Sequence, residues 1–562
     1  MNHLSSLITS FIKSEFSLNV DPELTVPDPQ FGDFSTNIAM RLAGQLSRPP
    51  QELATLITTE LTSQGFQATT AGPGFINITL PDSYFIQELD QILADDAYGA
   101  SAIYQDQVVV TEFSDPNPFK TLHIGHLYTS IVGDAISNLI ESAGGTTHRV
   151  NFGGDVGLHV AKAMYGIIRQ FDGEFPDQLA NIPEDQRADW ISVRYIEGNR
   201  AYEDDESARA EITQYNQRVY QLHRDSDHSS AFAQIYWTCR QWSYDYFDQF
   251  YASIGVKFDR YYPESATTEL GLQTVREQQA RGVYTESNGA IVFDGEPYGL
   301  HTRVFINSTG LPTYETKDLG LALTKWDDYH FDKSVIITGN DIIEYMKVLL
   351  KSIEQFRPDL VEKTLHLTHG MVKLAGGVKQ SSRLGNFVKA VDAISITEEA
   401  LRSQQDSADP SVVLAAIKYA FLRSSIGPDV VFDPATSVSL HGNSGPYLQY
   451  SLIRARSILS RRPEFNQSSV ATLATDLDLY ERSLIKKLSD FPSVITKSTT
   501  DLAPHTLCTY LYELAQTFNR FYENSRVTDD PRESLRLSLV SAYTRLLERG
   551  LSLLGINIPS RM

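Results

Sequence analysis

Two histidines three residues apart, His123 and His126, enclose Gly125 in the stretch SDPNPFKTLHIGHLYTS, and Asn117 and Lys120 come shortly before them. Histidines at this spacing could hold a metal, cap a helix or donate hydrogen bonds to phosphates. No nearby Cys, Asp or His supplies a third and a fourth zinc ligand at the usual spacing. The sequence therefore disfavours a metal here and predicts no protein-bound structural metal.

The position of the histidine pair favours phosphates. The preceding QVVVTEFS is typical of a buried strand, and the following HLYTSIVGDAISNLIESAGG is typical of a helix that stops at its two glycines. A helix N-terminus attracts anions, and imidazoles donate to phosphate oxygens. Gly125 leaves room for a flat base against the backbone, and Lys120 adds positive charge. The simpler alternative, in which both histidines only cap the helix, stays open.

Three regions of different patterning must position this motif. Residues 1–105 are typical of a small α+β domain, with short helices and the turn and strand of AGPGFINITL. Residues 106–395 begin with a strand–helix–strand unit, which predicts a Rossmann-type parallel sheet with ligands at the carboxyl ends of its strands. Within that region, residues 171–250 are polar and helical and are interpreted as an insertion. In residues 396–562 the apolar residues recur at helical spacing, which predicts an all-α bundle. The expected fold is multidomain α/β.

Charge is distributed unevenly along the chain. The formal net charge is -22, which alone argues against a nucleic-acid binder. Residues 451–562, however, hold 15 Lys and Arg against 12 Asp and Glu, so a polyanion could dock there; an ordinary mixed-charge helical surface is the alternative. Cys239 and Cys508 are too few for a disulfide framework, which indicates a reducing cytoplasm. No signal peptide or membrane segment is predicted.

A family resemblance is carried by several stretches together. HIGH after such a strand is similar to the signature of class I aminoacyl-tRNA synthetases, and EFSDPNPFKTLHIGHLYTSIVGDAI resembles the arginyl-tRNA synthetases specifically. FGDFSTNIAMRLA and AGPGFINITL resemble the N-terminal domain of that family, and GLPTYETKDLGLAL resembles its arginine-pocket segment. VFDPATSVSLHGNSGPYLQYSLIRARSIL and LLGINIPSRM resemble its anticodon-binding bundle. The resemblance runs nearly from end to end of the chain.

The resemblance implies a two-step reaction, in which ATP activates arginine as an adenylate and the arginyl group then passes to tRNA(Arg). His123 and His126 would hold the triphosphate, Gly125 the adenine, and Lys120 phosphate charge. A second phosphate loop, comparable to KMSKS, is expected at residues 379–383. It implies catalytic roles for Lys379 and Arg383 and ATP contacts for Met371, Ser381 and Ser382. Gln380 replaces the usual Met and the second lysine is missing, so Lys120 is expected to compensate; a surface Gly/Ser loop is the alternative.

The arginine pocket implied by the resemblance begins at the end of the first strand with Glu112 and Asn117. Tyr314 and Asp318 lie four apart, so they share a helix face. Asp341 follows a later strand and is aligned loosely, with Asn340 nearly as suitable. Asp115 stands where the family has Ser; it could contact the substrate or cap the turn. Asp155 also matches a family segment, and a structural role for it is open.

Contacts with tRNA are expected at both ends of the chain, as the resemblance implies. In the C-terminal bundle the candidates are Tyr447, Gln449, Tyr450 and Arg454, although both tyrosines could equally be core residues. In the N-terminal domain they are Phe34 and Asn37. The expected protein is a cytoplasmic monomer that takes L-arginine, ATP with Mg²⁺ and tRNA(Arg), without a membrane partner. The alternatives are another class I aminoacyl-tRNA synthetase and a tRNA-binding paralogue with weak or lost catalysis.

Overall fold

The computed structural model describes residues 2–25, 27–28, 31–375, 388–405, 408–465 and 476–562. The predicted phosphate-loop residues Lys379, Gln380, Ser381, Ser382 and Arg383 lie outside these ranges. The chain divides into two compact units. One comprises Met1–Tyr98, Ala455–Asp490 and Gln516–Arg545, and the other comprises Gly99–Arg454, Phe491–Ala515 and Leu546–Met562. The boundaries at 105 and 395 stay predictions.

The N-terminal part of the first unit is a small α+β structure, as predicted. Its elements are α1 (Asn2–Phe16), β1 (Phe34–Thr36), α2 (Ile38–Leu46), α3 (Pro50–Ser63), β2 (Gln67–Ala71), β3 (Phe75–Thr79) and α4 (Asp82–Ala94). The three strands form an antiparallel sheet in the order β1-β3-β2. Helix α1 buries Leu4, Ile8 and Ile12, whose four-residue spacing places them on one face.

The second unit is built on the predicted parallel sheet. The elements of its first half are β4 (Val108–Glu112), α5 (Ile124–Ser142), β5 (Thr146–Gly153), α6 (Leu158–Phe171), α7 (Arg187–Asp204), α8 (Glu206–Arg224), α9 (Ala231–Ile254), β6 (Arg260–Pro263) and α10 (Glu264–Ala280). Next come β7 (Thr285–Ser287), β8 (Ala290–Phe293), β9 (Arg303–Ile306), α11 (Tyr314–Tyr329), β10 (Lys333–Gly339), α12 (Ile343–Glu354), α13 (Pro358–Glu362) and β11 (Thr364–His369).

Five of these strands pair in parallel in the order β11-β10-β4-β5-β6. Strand β4, which precedes the histidine motif, occupies the centre, so its carboxyl end lies between those of β5 and β10. Strands β7 to β9 form a separate antiparallel sheet. The predicted insertion contains α7 and α8, and α9 continues through its predicted end at 250 as far as Ile254. These helices pack around α6 in an apolar cluster of their own.

The described residues after β11 are helical apart from one short strand pair. The elements are β12 (Val372–Leu374), α14 (Ala390–Arg402), α15 (Pro410–Leu422), β13 (Val430–Phe432), α16 (Pro434–Ser437), α17 (Gly445–Ser460), α18 (Leu479–Ser489), α19 (Phe491–Thr500), α20 (Pro504–Asn524) and α21 (Glu533–Leu553). Strand β13 pairs in parallel with β12. Each strand has only three residues, too few for an alternation of apolar and polar residues to predict it. Within the described ranges, every helix is too short or too polar to span a bilayer. The fold is the expected multidomain α/β architecture.

Candidate active site

The histidine motif forms the N-terminus of α5. His123 is the N-cap residue, and its Nδ1 accepts hydrogen bonds from the N–H groups of Gly125 at 3.1 Å and His126 at 3.3 Å. In return, the N–H of His123 donates to Nδ1 of His126 at 3.1 Å. The two rings stack with their centroids 3.7 Å apart. This is a capping box made from two imidazoles, so the capping role that the sequence left open is observed.

The cap determines where the imidazoles carry their protons. Because Nδ1 of each ring accepts from a backbone N–H, the neutral ring must be protonated at Nε2. Burial and the charge of Lys120 lower the pKa of His123 to about 4. Burial, His123 and Lys120 hold the pKa of His126 well below its usual value. Both rings are therefore neutral at pH 7, each with an Nε2–H group as its donor.

The glycine between the histidines has a packing reason of its own. A Cβ on Gly125 would lie 2.9 Å from two atoms of the His123 ring, closer than real Cβ contacts. A side chain here would displace the imidazole that caps α5. The expectation that an adenine ring approaches Gly125 stays a prediction.

Lys120 lies beside the pair, with its Nζ 4.2 Å from the centre of the Tyr195 ring. Burial and the nearby Lys162 lower the pKa of Lys120 to about 8. The ammonium is therefore mostly protonated at pH 7, and its charge contributes to the lowered pKa of both histidines. The structure thus brings Lys120 and the histidine pair together at the N-terminus of α5.

The segment that follows residues 376–387 is anchored at the histidine motif. Ile124 N–H donates to the Val388 carbonyl and Ala390 N–H to the Leu122 carbonyl, each at 2.9 Å. On the other side, Met371 is 61% exposed, and its N–H donates to Asp429 at 2.8 Å. The predicted contact between Met371 and ATP stays a prediction.

A group of acidic side chains lies at the carboxyl end of β4. Glu112 is buried and accepts a hydrogen bond from Lys325 Nζ, which also donates to Ser334 Oγ at 3.3 Å. Asp318 on α11 accepts a hydrogen bond from the hydroxyl of Tyr345. Glu112, Asp318 and Lys325 line one cavity, so the structure brings the two predicted carboxylates together.

The electrostatics of these acidic side chains favour a cationic ligand. Burial raises the pKa of Asp318 to about 7, and the charges of Glu112 and Glu264 act in the same direction, while the Tyr345 hydrogen bond opposes them. Burial and Glu112 also hold the pKa of Asp115 well above its usual value. The carboxyl groups repel one another's charges, and a guanidinium placed among them would relieve that repulsion.

Asp115 and Asn117 fasten the loop between β4 and α5. Asp115 Oδ1 accepts from the N–H of Phe152 at 2.9 Å, and Asn117 Oδ1 accepts from the N–H of Gly154 at 3.0 Å. Ser114 and Asp115 have φ angles of +74° and +46°, a left-handed backbone that Asp tolerates well. Asp115 therefore fastens its loop to β5, and a contact of either residue with substrate stays a prediction.

The remaining predicted pocket residues lie around the same strand ends. Tyr314 is the first residue of α11, 57% exposed, with Lys317 Nζ 4.4 Å from its ring centre. Asp341 is exposed in the turn Asn340–Ile342, and its charge acts on the pKa of His123. Their contacts with arginine stay predictions.

Asp155 has a structural role. Its fully buried carboxylate pairs with Arg240 Nε at 2.9 Å and accepts from the N–H and hydroxyl of Ser265 at 2.9 Å and 2.7 Å. These bonds fasten the loop after β5 to α9 and α10.

Sequence reasoning missed Lys325, Tyr345 and Tyr195. Lys325 could have been found, because it lies seven residues after Asp318 on the same face of α11. Tyr345 is on α12 and Tyr195 on α7. No local signal connects either of them to the motifs that they contact.

Two of the residues predicted to contact tRNA have buried side chains. Gln449 is fully buried, and its amide donates to the carbonyl groups of Asn557 at 2.6 Å and Ser411 at 3.2 Å. Phe34 is buried on β1, with Lys486 Nζ 5.6 Å from its ring centre. Both side chains lie in the interior, and their contacts with tRNA stay predictions.

The other predicted tRNA residues lie closer to the surface. Tyr450 is 41% exposed, and Tyr447 is half-buried with its ring edge-on to Tyr512 at 5.7 Å. Arg454 is half-buried on α17, and Asn37 is the N-cap residue of α2 without a side-chain capping bond. Their roles in tRNA binding stay predictions.

Three protein families match this chain. Residues 88–432 match the family described as tRNA synthetases class I (R), catalytic domain. Residues 2–80 match the arginyl tRNA synthetase N terminal domain, and residues 448–562 match the DALR anticodon binding domain.

Similar proteins include an arginine–tRNA ligase from Bacteroides fragilis, 27% identical over 520 residues that cover 87% of this chain and 86% of the relative. An arginine–tRNA ligase from Treponema denticola is 28% identical over 564 residues, which cover 95% of this chain and 93% of the relative. Among solved structures, an arginyl-tRNA synthetase from Thermus thermophilus superposes with a TM-score of 0.78 at 22% identity over both full chains. An arginyl-tRNA synthetase from Plasmodium falciparum superposes with a TM-score of 0.77 at 22% identity, covering 100% of this chain and 99% of the other.

Proposed function

The chain belongs to the arginine-specific family of class I aminoacyl-tRNA synthetases, and we propose that it activates L-arginine with ATP and transfers the arginyl group to the 3′ end of tRNA(Arg). In the first step an arginine carboxylate oxygen attacks the α-phosphorus of ATP, and pyrophosphate leaves. In the second step a ribose hydroxyl of the tRNA attacks the arginyl carbonyl, and AMP leaves. The product serves protein synthesis.

The observation that carries the proposal is the imidazole pair at the N-terminus of α5, with Lys120 beside it. Charge builds on the phosphate oxygens in the transition state, and the Nε2–H groups of His123 and His126 supply fixed donors for it. Because Nδ1 of each ring is held by the cap, the donors are oriented before ATP arrives. The second loop has one lysine fewer than KMSKS and so supplies less positive charge. The ammonium of Lys120 then offsets the negative charge of the phosphates in its place.

Selection of arginine rests on the carboxylates near the end of β4. A guanidinium is planar and binds carboxylates through paired hydrogen bonds. Glu112 is already paired with Lys325, so Asp318 is the carboxylate best suited to meet the substrate. Asp115 places a further buried carboxyl group beside Glu112 and Asp318. A carboxylate-bearing amino acid side chain would be repelled there.

ATP is expected to arrive with Mg²⁺. Mg²⁺ usually keeps several waters and binds through substrate phosphates and one or two carboxylates rather than a protein cage. Asp341 suits that role, because it is exposed and its charge acts on both His123 and His369. The proposal includes a monomeric enzyme of the cytoplasm, where the two buried thiols of Cys239 and Cys508 stay reduced.

Exchange of labelled pyrophosphate into ATP tests the function. The full-length protein is incubated with ATP, Mg²⁺, labelled pyrophosphate and arginine, with and without tRNA(Arg). We expect exchange that depends on both arginine and tRNA, because arginyl enzymes typically need tRNA for activation. Charging of tRNA(Arg) with labelled arginine measures the second step.

The alternatives give different results in the same assay. Exchange with another amino acid would identify a different class I specificity. Binding of tRNA without any exchange would indicate a paralogue that has lost catalysis. Absence of arginine-dependent exchange under every tRNA condition would overturn the proposal.

A further inference from the structure

Helix α7, which belongs to the predicted insertion, contacts both segments that meet at the phosphate site. The ring of Tyr195 lies against Lys120 Nζ at 4.2 Å. One turn earlier, Ser192 Oγ is 3.3 Å from Thr121 Oγ1, two residues before His123. Three residues before that, Asp189 Oδ1 accepts from Lys389 Nζ at 2.7 Å, and Lys389 pairs with His123 through an isolated β-bridge. One face of one helix therefore holds both sides of the histidine cap.

The position of α7 is fixed by close packing on α6. A Cβ on Gly198 would overlap the carbonyl oxygen of Lys162 on α6, and a Cβ on Gly166 of α6 would overlap the carbonyl oxygen of Arg194 on α7. The two backbones thus meet at two reciprocal glycines, which leaves little freedom to shift. Helix α6 begins at Leu158, five residues after β5 ends at Gly153. The Tyr195 ring packs against the apolar cluster around α6.

An aromatic partner suits a lysine that must act on phosphates. A carboxylate beside Lys120 would hold its side chain in place but would cancel the charge that phosphate needs. An aromatic face attracts the ammonium through its quadrupole and leaves the full positive charge in place. The pair of Asp189 and Lys389 lies mostly in solvent, with side chains 60% and 38% exposed, and contributes little by comparison.

We propose that α7 is the positioning element of the phosphate site and that Tyr195 is its principal positioning residue, which holds the Lys120 ammonium where the ATP phosphates bind. This inference rests on the proposed function and gives the helical insertion a role in the first chemical step. Tyr195 acts through Lys120 and touches no reacting atom.

The test compares Tyr195→Leu, Tyr195→Phe and Lys120→Met in the arginine- and tRNA-dependent exchange assay, with the full-length enzyme. Tyr195→Leu removes the ring and is expected to lower kcat about tenfold, with the KM for arginine within about twofold of wild type. Tyr195→Phe keeps the ring and is expected to recover most of the rate. Val193→Ala, at a side chain 45% exposed on the same helix, is the control for a general effect on α7.

A double variant separates positioning from simple damage. If Tyr195 acts through Lys120, Tyr195→Leu combined with Lys120→Met is no slower than Lys120→Met alone. Additive losses, or a Tyr195→Leu enzyme as fast as wild type, would overturn the inference and leave the proposed function intact. A wild-type protein without arginine-dependent exchange would instead count against the proposed function. Thermal unfolding of each variant distinguishes a lost contact from a misfolded helix.

Discussion

At the residue scale, His123 and His126 use one ring nitrogen each to cap α5, and the other nitrogen is the donor in the proposed chemistry. Nδ1 of each ring closes the capping box of α5, and the same bonds leave the proton on Nε2. Burial keeps both rings neutral, so in the proposed reaction they act as hydrogen-bond donors rather than as charges. In that proposal the positive charge comes from Lys120.

Substitution of His126 by Asn and by Gln should separate the two uses of the ring. An Asn oxygen falls near the place of Nδ1, so His126→Asn keeps the cap but loses the donor. We expect kcat for exchange to fall by about 100-fold or more, with the KM for arginine little changed. His126→Ala should lose as much rate and also about 1 kcal/mol of stability from the cap.

His126→Gln is the complementary variant, because its amide nitrogen reaches towards the place of Nε2. It should recover part of the exchange rate while it lowers the thermal unfolding temperature. If His126→Asn exchanged pyrophosphate at the wild-type rate, the imidazole would serve only as a cap.

The pKa of Asp318 predicts how arginine binding depends on pH. Its pKa is raised to about 7, and a guanidinium prefers the ionised carboxylate. The fraction of ionised Asp318 therefore increases about tenfold from pH 6 to pH 8. The KM for arginine should fall by about the same factor as the pH rises, measured by pyrophosphate exchange at saturating ATP and tRNA.

Two variants check the assignment to Asp318. Tyr345→Phe removes a hydrogen bond that lowers this pKa, so the midpoint should move to higher pH. Asp318→Ala should raise the KM for arginine sharply and remove the pH dependence. A KM that Asp318→Ala leaves unchanged would place the residue outside the pocket.

At the element scale, the close approach of α5 to β4 positions the site. Gly133 of α5 lies against the buried ring of Phe113, directly after Glu112, and a Cβ there would overlap the ring. Gly133→Ala should therefore destabilise the protein by about 1–3 kcal/mol, measured as a lower thermal unfolding temperature. The displaced ring should also raise the KM for arginine.

Gly44 offers a matched control, because it is also a helical glycine. A Cβ at Gly44 on α2 would meet no atom within 4 Å. Gly44→Ala should be neutral or stabilise by about 0.5–1 kcal/mol, since Ala is the better helix former. An unchanged unfolding temperature for Gly133→Ala would show that β4 and α5 can separate at little cost.

Elements were predictable from the sequence where the signal is local. The β4–α5–β5 unit follows from a buried run, four-residue apolar spacing and a double glycine, and Gly144 has the left-handed φ of +89° that a helix stop needs. The Glu112–Lys325 pair could not be predicted in this way, because its members are 213 residues apart. Gln449 shows the converse: a polar side chain on a helix gives no sign that it is buried.

At the scale of the whole molecule, an acidic protein must bind a polyanion. The net charge of -22 repels RNA in general, while residues 451–562 carry a small excess of cations. Binding of tRNA therefore depends on local cations, and the remaining surface suppresses non-specific association. The family resemblance predicted which regions meet tRNA, but the side chains that reach the surface depend on packing.

Salt should weaken tRNA binding much more than arginine binding. Each phosphate contact releases counterions, so affinity falls steeply with salt. Between about 50 and 200 mM NaCl we expect the KM for tRNA(Arg) to rise at least tenfold, with the KM for arginine nearly constant. Aminoacylation kinetics at a series of salt concentrations give the slope of log KM against log salt.

Three variants assign that slope to α17. Arg454→Gln should lower it by about one, the value for one lost phosphate contact. Tyr450→Ala should weaken binding without changing the slope, because stacking on an exposed ring is largely independent of counterions. Arg402→Gln on α14, where the side chain is 57% exposed and paired with Glu398, is the control for a general loss of charge. If all three variants lowered the slope equally, the slope would report net charge, and α17 would not be the tRNA-binding helix.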